Sequence, residues 1–228
     1  MSKVRIAILS VIVLFSFAVQ ASDNIDPLEK VNRKVHGFND VLDTVALKPL
    51  AKGYKAVTPD IVEAGVGNFF ANIRDVGTMV NNVLQFKFED AGVDLARVAF
   101  NTTIGLGGII DVSSAMGLEK HAEDFGQTLG AWGVPAGPYL VMPFFGPSSL
   151  RDAPASFVPL DAWRYVDDVR TRNVGYSVRL VDDRAGLFNA EALVSGDEYI
   201  FIRDAYLGLR AQAVKDGAID EAFNEDDF

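Results

Sequence analysis

The sequence predicts a mainly α-helical single domain, and three observations support this. Apolar residues recur at steps of three and four in the first hundred residues and again in the last third. A stretch rich in glycine and proline separates these two regions. No solenoid repeat or low-complexity linker divides the chain. With 228 residues, 49% of them hydrophobic, the chain can bury a substantial core.

The first 21 residues have the pattern of a cleavable secretory signal peptide. Lys3 and Arg5 precede the uncharged segment 6–19, and Ala21 stands where a signal peptidase would cut. As a helix this segment is about 21 Å long, too short for a bilayer core of about 30 Å. We therefore predict removal of residues 1–21 and export of the remaining chain; a retained anchor is the alternative. The loss of two basic residues takes the formal charge from −10 to −12.

Two amphipathic helices are predicted next. The first follows Asp26-Pro27 and is limited by Pro49. The second begins with Thr58 as N-cap and Pro59 as the first helical residue. The apolar positions of the first are Val31, Val35, Phe38, Leu42 and Val45, and those of the second are Val62, Val66, Phe69, Ile73, Val76, Val80 and Val83.

Three further helices complete the predicted set. A third covers about 89–103, and two more carry apolar stripes over 174–188 and 202–213. The third helix is expected to turn three apolar residues inward, namely Leu95, Val98 and Ala99. Residues 216–228 are strongly acidic and are predicted to be a solvated, disordered tail.

The middle of the chain has an unusual composition. Residues 105–147 include nine glycines and four prolines, so no regular helix is expected there. Residues 125–150 contain no charged residue, whereas an ordinary solvated loop is polar. Two interpretations stay open: a buried loop that closes the helical core, or a pore or groove at a membrane interface. Arg151-Asp152, directly after this stretch, is expected to anchor its end through an ion pair or backbone hydrogen bonds rather than to perform catalysis.

Composition and motifs exclude several functions. The chain has no cysteine, which excludes disulfide scaffolds, iron–sulfur clusters and cysteine nucleophiles. Its scattered basic residues and negative charge argue against a nucleic-acid partner. P-loop and Gly-x-Ser-x-Gly patterns do not occur, and segment 105–110 only superficially resembles a dinucleotide fingerprint. His121, Glu123 and Asp124 form the one local cluster of metal-ligand types, and a surface location explains it more simply. We predict no metal and no cofactor.

Several segments, in order and in the expected spacing, match one known family. Segment 97–112 contains Asn101-Thr102 followed by Gly105, Gly107-Gly108 and Asp111, in an Asn-Thr-x-x-Gly-x-Gly-Gly-x-x-Asp block. Further matching segments are 26–33, 42–51, 80–85, 125–130, 133–134, 137–152 and 199–206. Together they resemble the MlaA (VacJ) family of outer-membrane phospholipid-transport proteins.

The resemblance implies a fold and a function. The implied fold is a ring of amphipathic helices in the inner leaflet of a Gram-negative outer membrane, with a Gly/Pro-rich segment lining a polar channel. Misplaced phospholipids would leave the outer leaflet through this channel for a soluble periplasmic lipid carrier, which maintains lipid asymmetry. The implied partners are phospholipid, a trimeric porin and that carrier. No bond is broken, so the implied protein is not an enzyme.

The resemblance also places the candidate site residues. A loop at the channel mouth is expected to contain Gly105, Gly107, Gly108 and Asp111, and the channel wall to be shaped by Gly126, Thr128, Gly130, Tyr139 and Arg151. Bulky replacements of Gly107 and Gly108 are expected to impair lipid clearance without unfolding the chain. Familiar members are lipoproteins tethered through a cysteine, where this sequence has Ala21-Ser22. The alternatives are a periplasmic scaffold that binds an envelope partner through amphipathic helices, and an envelope hydrolase.

Overall fold

The computed structural model describes residues 25–158 and 160–216. The predicted signal peptide and nearly all of the predicted acidic tail lie outside the described residues. The helices are α1 (Glu29–Leu42), α2 (Lys48–Val57), α3 (Asp60–Leu84), α4 (Phe88–Thr103), α5 (Val112–Ala115), α6 (Phe125–Ala131), α7 (Asp152–Ala155), α8 (Val169–Gly186), α9 (Phe188–Glu191) and α10 (Glu198–Val214). Two strands, β1 (Tyr139–Met142) and β2 (Gly146–Ser149), form an antiparallel hairpin in which Tyr139 pairs with Ser149. The predicted mainly helical fold is confirmed.

The helical run that begins with α1 does not end at Pro49, so the predicted limit of the first helix is wrong. A π-helical turn, Asp43–Leu47, joins α1 to α2, and the backbone stays helical at Leu47 and Lys48. Pro49 lies in the first turn of α2. In a regular helix the proline ring clashes with the carbonyl four residues earlier, and the wider π turn relieves that crowding. Residues 29–57 therefore form one continuous helical run.

The predicted boundaries of α3 and α4 are close to those observed. Helix α3 begins at Asp60, with Pro59 rather than Thr58 at the N-cap and no side-chain cap hydrogen bond. Helix α4 covers Phe88–Thr103, as predicted. The prediction of no regular helix in the glycine-rich stretch is wrong for α6, where the Asp124 carboxylate accepts a hydrogen bond from the Gln127 backbone N–H over 3.0 Å and caps a seven-residue helix.

The helices form a closed circuit. Helix α3 packs against α4, α6 and α8, α8 packs against α2, and α1 leads into α2 while contacting β1. Helix α10 packs against α6 and β2 and so closes the circuit through the hairpin. At this closure the Tyr199 hydroxyl hydrogen-bonds the Asp26 carboxylate, and the Asn32 amide donates to the Tyr139 carbonyl over 3.1 Å. The arrangement agrees with the predicted ring of helices.

The interior of the ring is polar and much of its surface is apolar. Among the described residues, seventeen polar or charged residues are buried, against nine apolar ones of which five are alanines. In α4 the buried residues are Ala91, Asp94, Arg97 and Asn101, whereas Leu95 and Ala99 are exposed. The prediction that three apolar residues of this helix turn inward is therefore wrong for Leu95 and Ala99, while Val98 is half-buried. Periodicity identifies a stripe but not its environment, and here the apolar stripe faces outward.

Candidate functional site

A cavity of about 520 Å³ lies between α3, the segment 120–127, the segment 155–161 and α8. Eight of its lining residues are charged or titratable, and several others are polar. The charged or titratable ones are Arg74, Asp75, Lys120, His121, Glu123, Asp124, Asp161 and Arg179. Apolar contact surface comes from Phe125, Val158 and Leu160. The volume falls within the range of about 300–1,000 Å³ typical of small-molecule sites.

The two arginines of the wall form ion pairs across the surface of α8. Arg179 lies 2.8 Å from Asp161 and 3.7 Å from Asp183, and Arg74 lies 3.3 Å from Asp183. These pairs join α3, the segment before α8 and α8 itself. They fix one side of the cavity.

On the other side of the cavity, the acidic residues and the histidine have partners on neighbouring elements. Glu123 accepts a hydrogen bond from the Gln85 amide over 2.8 Å and lies 3.2 Å from Lys87. The His121 Nδ1 atom lies 2.9 Å from the carboxylate of the buried Asp94. The cluster of His121, Glu123 and Asp124 is therefore part of the cavity wall. No group of residues able to hold a metal ion is present in residues 25–158 and 160–216.

Arg97 connects α4 to the loop that follows it. Its side chain is buried, with Nη2 lying 3.2 Å from Asp111 Oδ2 and Nε lying 3.5 Å from Asp75 Oδ2. Asp111 caps α5 by accepting from the Ser114 N–H, and it also accepts from the Asn101 amide over 3.0 Å. Burial tends to raise the pKa of Asp111, but hydrogen bonds from Ser114 and Asn101 and the charge of Arg97 hold this pKa well below its usual value.

Three of the predicted glycines lie in the loop before Asp111 and differ in their surroundings. At Gly105 a side chain would meet the Asn101 carbonyl oxygen at 2.5 Å, so this glycine is required by packing. At Gly108 it would meet Asn72 Cβ at 2.6 Å, whereas at Gly107 no atom lies within 4 Å. A bulky replacement at Gly108 must displace Asn72, because the loop rests directly on α3 there, and the expectation that such a variant stays folded remains a prediction.

A second group of predicted residues meets around Asp152. Its carboxylate accepts hydrogen bonds from Arg151 Nε over 2.7 Å and from Arg210 Nε over 2.9 Å. A side chain at Gly126 would collide with Arg210 and Asp152, and one at Gly130 would meet Arg151 Nη1 at 2.7 Å. The expected ion pair at Arg151-Asp152 is confirmed, and the contacts of Asp152 with Arg210 and Tyr206 tie the end of the uncharged stretch to α10.

Thr128 and Tyr139 are both buried, at separate places. The Thr128 hydroxyl donates to the Asn81 amide oxygen over 2.9 Å, which joins α6 to α3. Tyr139 packs edge to face against Tyr199, with ring centroids 6.2 Å apart. Burial raises the pKa of Tyr139 to about 12.

None of the nine predicted site residues, all of which are described, lines the cavity. Seven of them form two groups, around Arg97 and around Asp152, while Thr128 and Tyr139 lie apart from both. Their channel role stays a prediction. Sequence reasoning did not single out Asp75 and Lys120, which do line the cavity. Asp75 lies among the apolar residues of α3, and no sequence signal identifies such a residue as facing a cavity.

The family of the chain is decided by a family model. The model described as MlaA lipoprotein matches residues 24–213. The chain belongs to the MlaA lipoprotein family. The chain is similar to the intermembrane phospholipid transport system lipoprotein MlaA of Escherichia coli K12. The two are 34% identical over 192 residues, which cover 79% of this chain and 75% of that protein. The Haemophilus influenzae protein of the same name is 34% identical over 214 residues, covering 89% and 84%.

A further relative and a solved structure are also similar to this chain. An uncharacterized Rickettsia typhi protein is 44% identical over 133 residues, which is 58% of this chain; the chain spans about half, 53%, of that relative's length. A solved chain from work on the maintenance of bacterial outer membrane lipid asymmetry superposes with a TM-score of 0.72 at 31% identity, covering 83% of this chain and 98% of that one. The MlaA relatives are called lipoproteins, whereas this sequence contains no cysteine.

Proposed function

We propose that this chain is an outer-membrane component of phospholipid transport. It takes misplaced phospholipids from the outer leaflet and passes them to a soluble periplasmic lipid carrier, which maintains lipid asymmetry. The observation that supports this most directly is the inverted distribution of polarity, with a polar cavity inside a ring that exposes apolar side chains. A phospholipid needs such a route, because its headgroup is costly to move through hydrocarbon.

The exposed apolar surface supports an interfacial position in the membrane. Helices α1 to α3 expose Val31, Val45, Leu50, Val57 and Ile61, among others. Monomeric soluble proteins rarely expose large apolar patches, whereas interfacial helices bury their exposed apolar side chains at the acyl-chain boundary. No described helix is long and apolar enough to cross a membrane.

The proposal also assigns a location in the envelope and two protein partners. The chain is exported by a cleavable signal peptide and lies on the periplasmic side of the outer membrane, in contact with a trimeric porin and the lipid carrier. The apolar ring surface holds it there. The lack of a cysteine for a lipid tether matters little, because a single acyl chain would add only marginal binding. The chain performs no bond cleavage, and its role is that of a conduit.

Fractionation combined with lipid identification tests the proposal. The full chain, expressed in a Gram-negative cell without its own family member, is followed through membrane separation and gentle purification, and bound lipid is identified by mass spectrometry. We expect recovery with the outer membrane, co-purified phospholipid and less phospholipid in the outer leaflet. A chain released by osmotic shock and free of lipid would instead support the periplasmic scaffold. Release of fatty acid or headgroup would support a hydrolase.

A further inference from the structure

Two charged residues at the cavity, Lys120 and Asp75, are less fully paired than the others, and the ion pair of Asp75 is with Arg97 over 3.5 Å. Lys120 forms no ion pair within 4 Å and no hydrogen bond in the part of the chain that the structure describes, and its side chain is exposed at the cavity rim. Asp75 is buried, and among the described residues its Oδ2 atom has no hydrogen-bond partner. All other charged side chains of the wall, and His121, are paired with neighbours.

The surroundings of Asp75 favour a cationic ligand over a permanently satisfied carboxylate. Arg97 Nε lies 3.5 Å from Asp75 Oδ2, which makes an ion pair without a regular hydrogen bond, and Arg97 is also bound to Asp111. Burial raises the pKa of Asp75; the charges of Lys120 and Arg97 lower it in part, and Asp94 raises it. A buried carboxylate oxygen without a hydrogen-bond donor is costly, and a donor on a ligand at Asp75 would offset that cost.

A ligand that pairs with both Lys120 and Asp75 must carry two charges on one small group. These are an anion for Lys120 and a cation with an N–H donor for Asp75. A phospholipid with a primary ammonium beyond its phosphate has this chemistry. A glycerol headgroup offers no cation to the carboxylate, and a quaternary ammonium offers no N–H donor. The apolar side chains of Phe125 and Leu160 beside the charged wall suit the start of the acyl region.

We propose that the cavity contains a subsite for aminophospholipid headgroups, in which Lys120 binds the phosphate and Asp75 accepts a hydrogen bond from the primary ammonium. This proposal rests on the proposed function, since it assigns the lipid class that the same cavity receives. It predicts preference for phosphatidylethanolamine over phosphatidylglycerol and phosphatidylcholine.

Competition among lipids tests the subsite. The purified full chain in mild detergent is incubated with equimolar phosphatidylethanolamine, phosphatidylglycerol and phosphatidylcholine, and bound lipid is quantified by mass spectrometry. We expect enrichment of phosphatidylethanolamine, and in Asp75→Asn a fall of about fivefold or more in its ratio to phosphatidylglycerol, as for loss of a charged hydrogen bond. Lys120→Gln should lower binding of all three lipids without changing that ratio.

Matched controls separate the subsite from general charge effects. Asp60→Asn makes the same change on an exposed residue of the same helix, and Lys52→Gln does so on an exposed residue of α2. Neither should alter the lipid ratio or the total. Because Lys120 is exposed, Lys120→Gln tests the site even where Asp75→Asn fails to fold.

The outcomes distinguish the two proposals. Phospholipid bound at the input ratio, or ratios and totals unchanged in both variants, overturns the subsite and leaves the transport proposal standing. A shift reproduced by Asp60→Asn also overturns the subsite. A wild-type chain that binds no phospholipid overturns both.

Discussion

Arg97 and Asp111 form a partly buried ion pair in which Nη2 lies 3.2 Å from Oδ2. The pair joins the middle of α4 to the N-cap of α5, and with Asn101 it fixes both ends of the loop that contains Gly105, Gly107 and Gly108. Arg97 also lies 3.5 Å from Asp75, so it connects the loop to the cavity wall through direct contacts. In this chain the Asn-Thr-x-x-Gly-x-Gly-Gly-x-x-Asp block therefore specifies how a loop is packed on α3 and α4.

Replacement of Arg97 should destabilise the chain strongly. In Arg97→Met two carboxylates, Asp75 and Asp111, lose their compensating charge, and breaking a buried pair costs about 3–5 kcal/mol. We expect a loss of this size in the free energy of unfolding, measured by urea titration in mild detergent. Arg74→Met is the control, since its pair with Asp183 is largely exposed and should contribute at most about 1 kcal/mol. Equal losses in the two variants would contradict the assignment.

Acid should weaken the closure between α10 and the uncharged stretch. Burial tends to raise the pKa of Asp152, but hydrogen bonds from Arg151, Arg210 and Tyr206 outweigh it and hold the pKa well below its usual value. A lowered folded-state pKa stabilises the fold above the unfolded value of about 4, and this stabilisation is lost as the pH falls further. The melting temperature should therefore be flat near neutral pH and decline below about pH 4.

Asp152→Asn tests the origin of that decline. The variant has no titrating group at this position, so it should be less stable at neutral pH and lose less on acidification. A wild-type and a variant curve that remain parallel from pH 7 to pH 3 would show that another carboxylate is responsible.

The helices could be predicted from the sequence because a 3.6-residue period is a local property. The direction in which each apolar helix face points could not be predicted from the sequence. Leu95 and Ala99 were expected inside, yet they face outward, since hydrophobic periodicity is the same whether the apolar stripe meets a protein core or lipid. The helix across Pro49 was missed for a related reason, because the π turn that accommodates the proline has no composition signal.

The site was only partly predictable. The glycine-rich blocks contain closely packed positions such as Gly105 and Gly126, and the ion pair of Arg151 with Asp152 followed from its place after an uncharged stretch. The cavity residues Asp75 and Lys120 come from segments 45 positions apart. Nothing local to either segment indicates that the fold brings them to one wall.

Two glycine substitutions should have opposite effects on stability. At Gly126 a methyl group would collide with Arg210 and Asp152, so Gly126→Ala must displace a buried ion pair and should cost several kcal/mol. Gly92 lies within α4, and no neighbouring atom lies within 4 Å of the place that a methyl group would take, so Gly92→Ala should stabilise by up to about 1 kcal/mol. Thermal unfolding of both variants checks the prediction, and a stabilised Gly126→Ala would contradict it.

The loop at Gly107 allows its expected channel role to be separated from folding. Gly107 has a φ of +75° and no atom within 4 Å of an added Cβ, so Gly107→Leu strains the backbone by about 1–2 kcal/mol without a collision at Cβ. Gly117 has a φ of +79° and equally open space but follows α5, outside the loop. Gly117→Leu therefore carries the same strain. We expect both variants to lose similar stability and only Gly107→Leu to leave more phospholipid in the outer leaflet of complemented cells. Equal clearance by the two variants would mean that this loop does not control lipid passage.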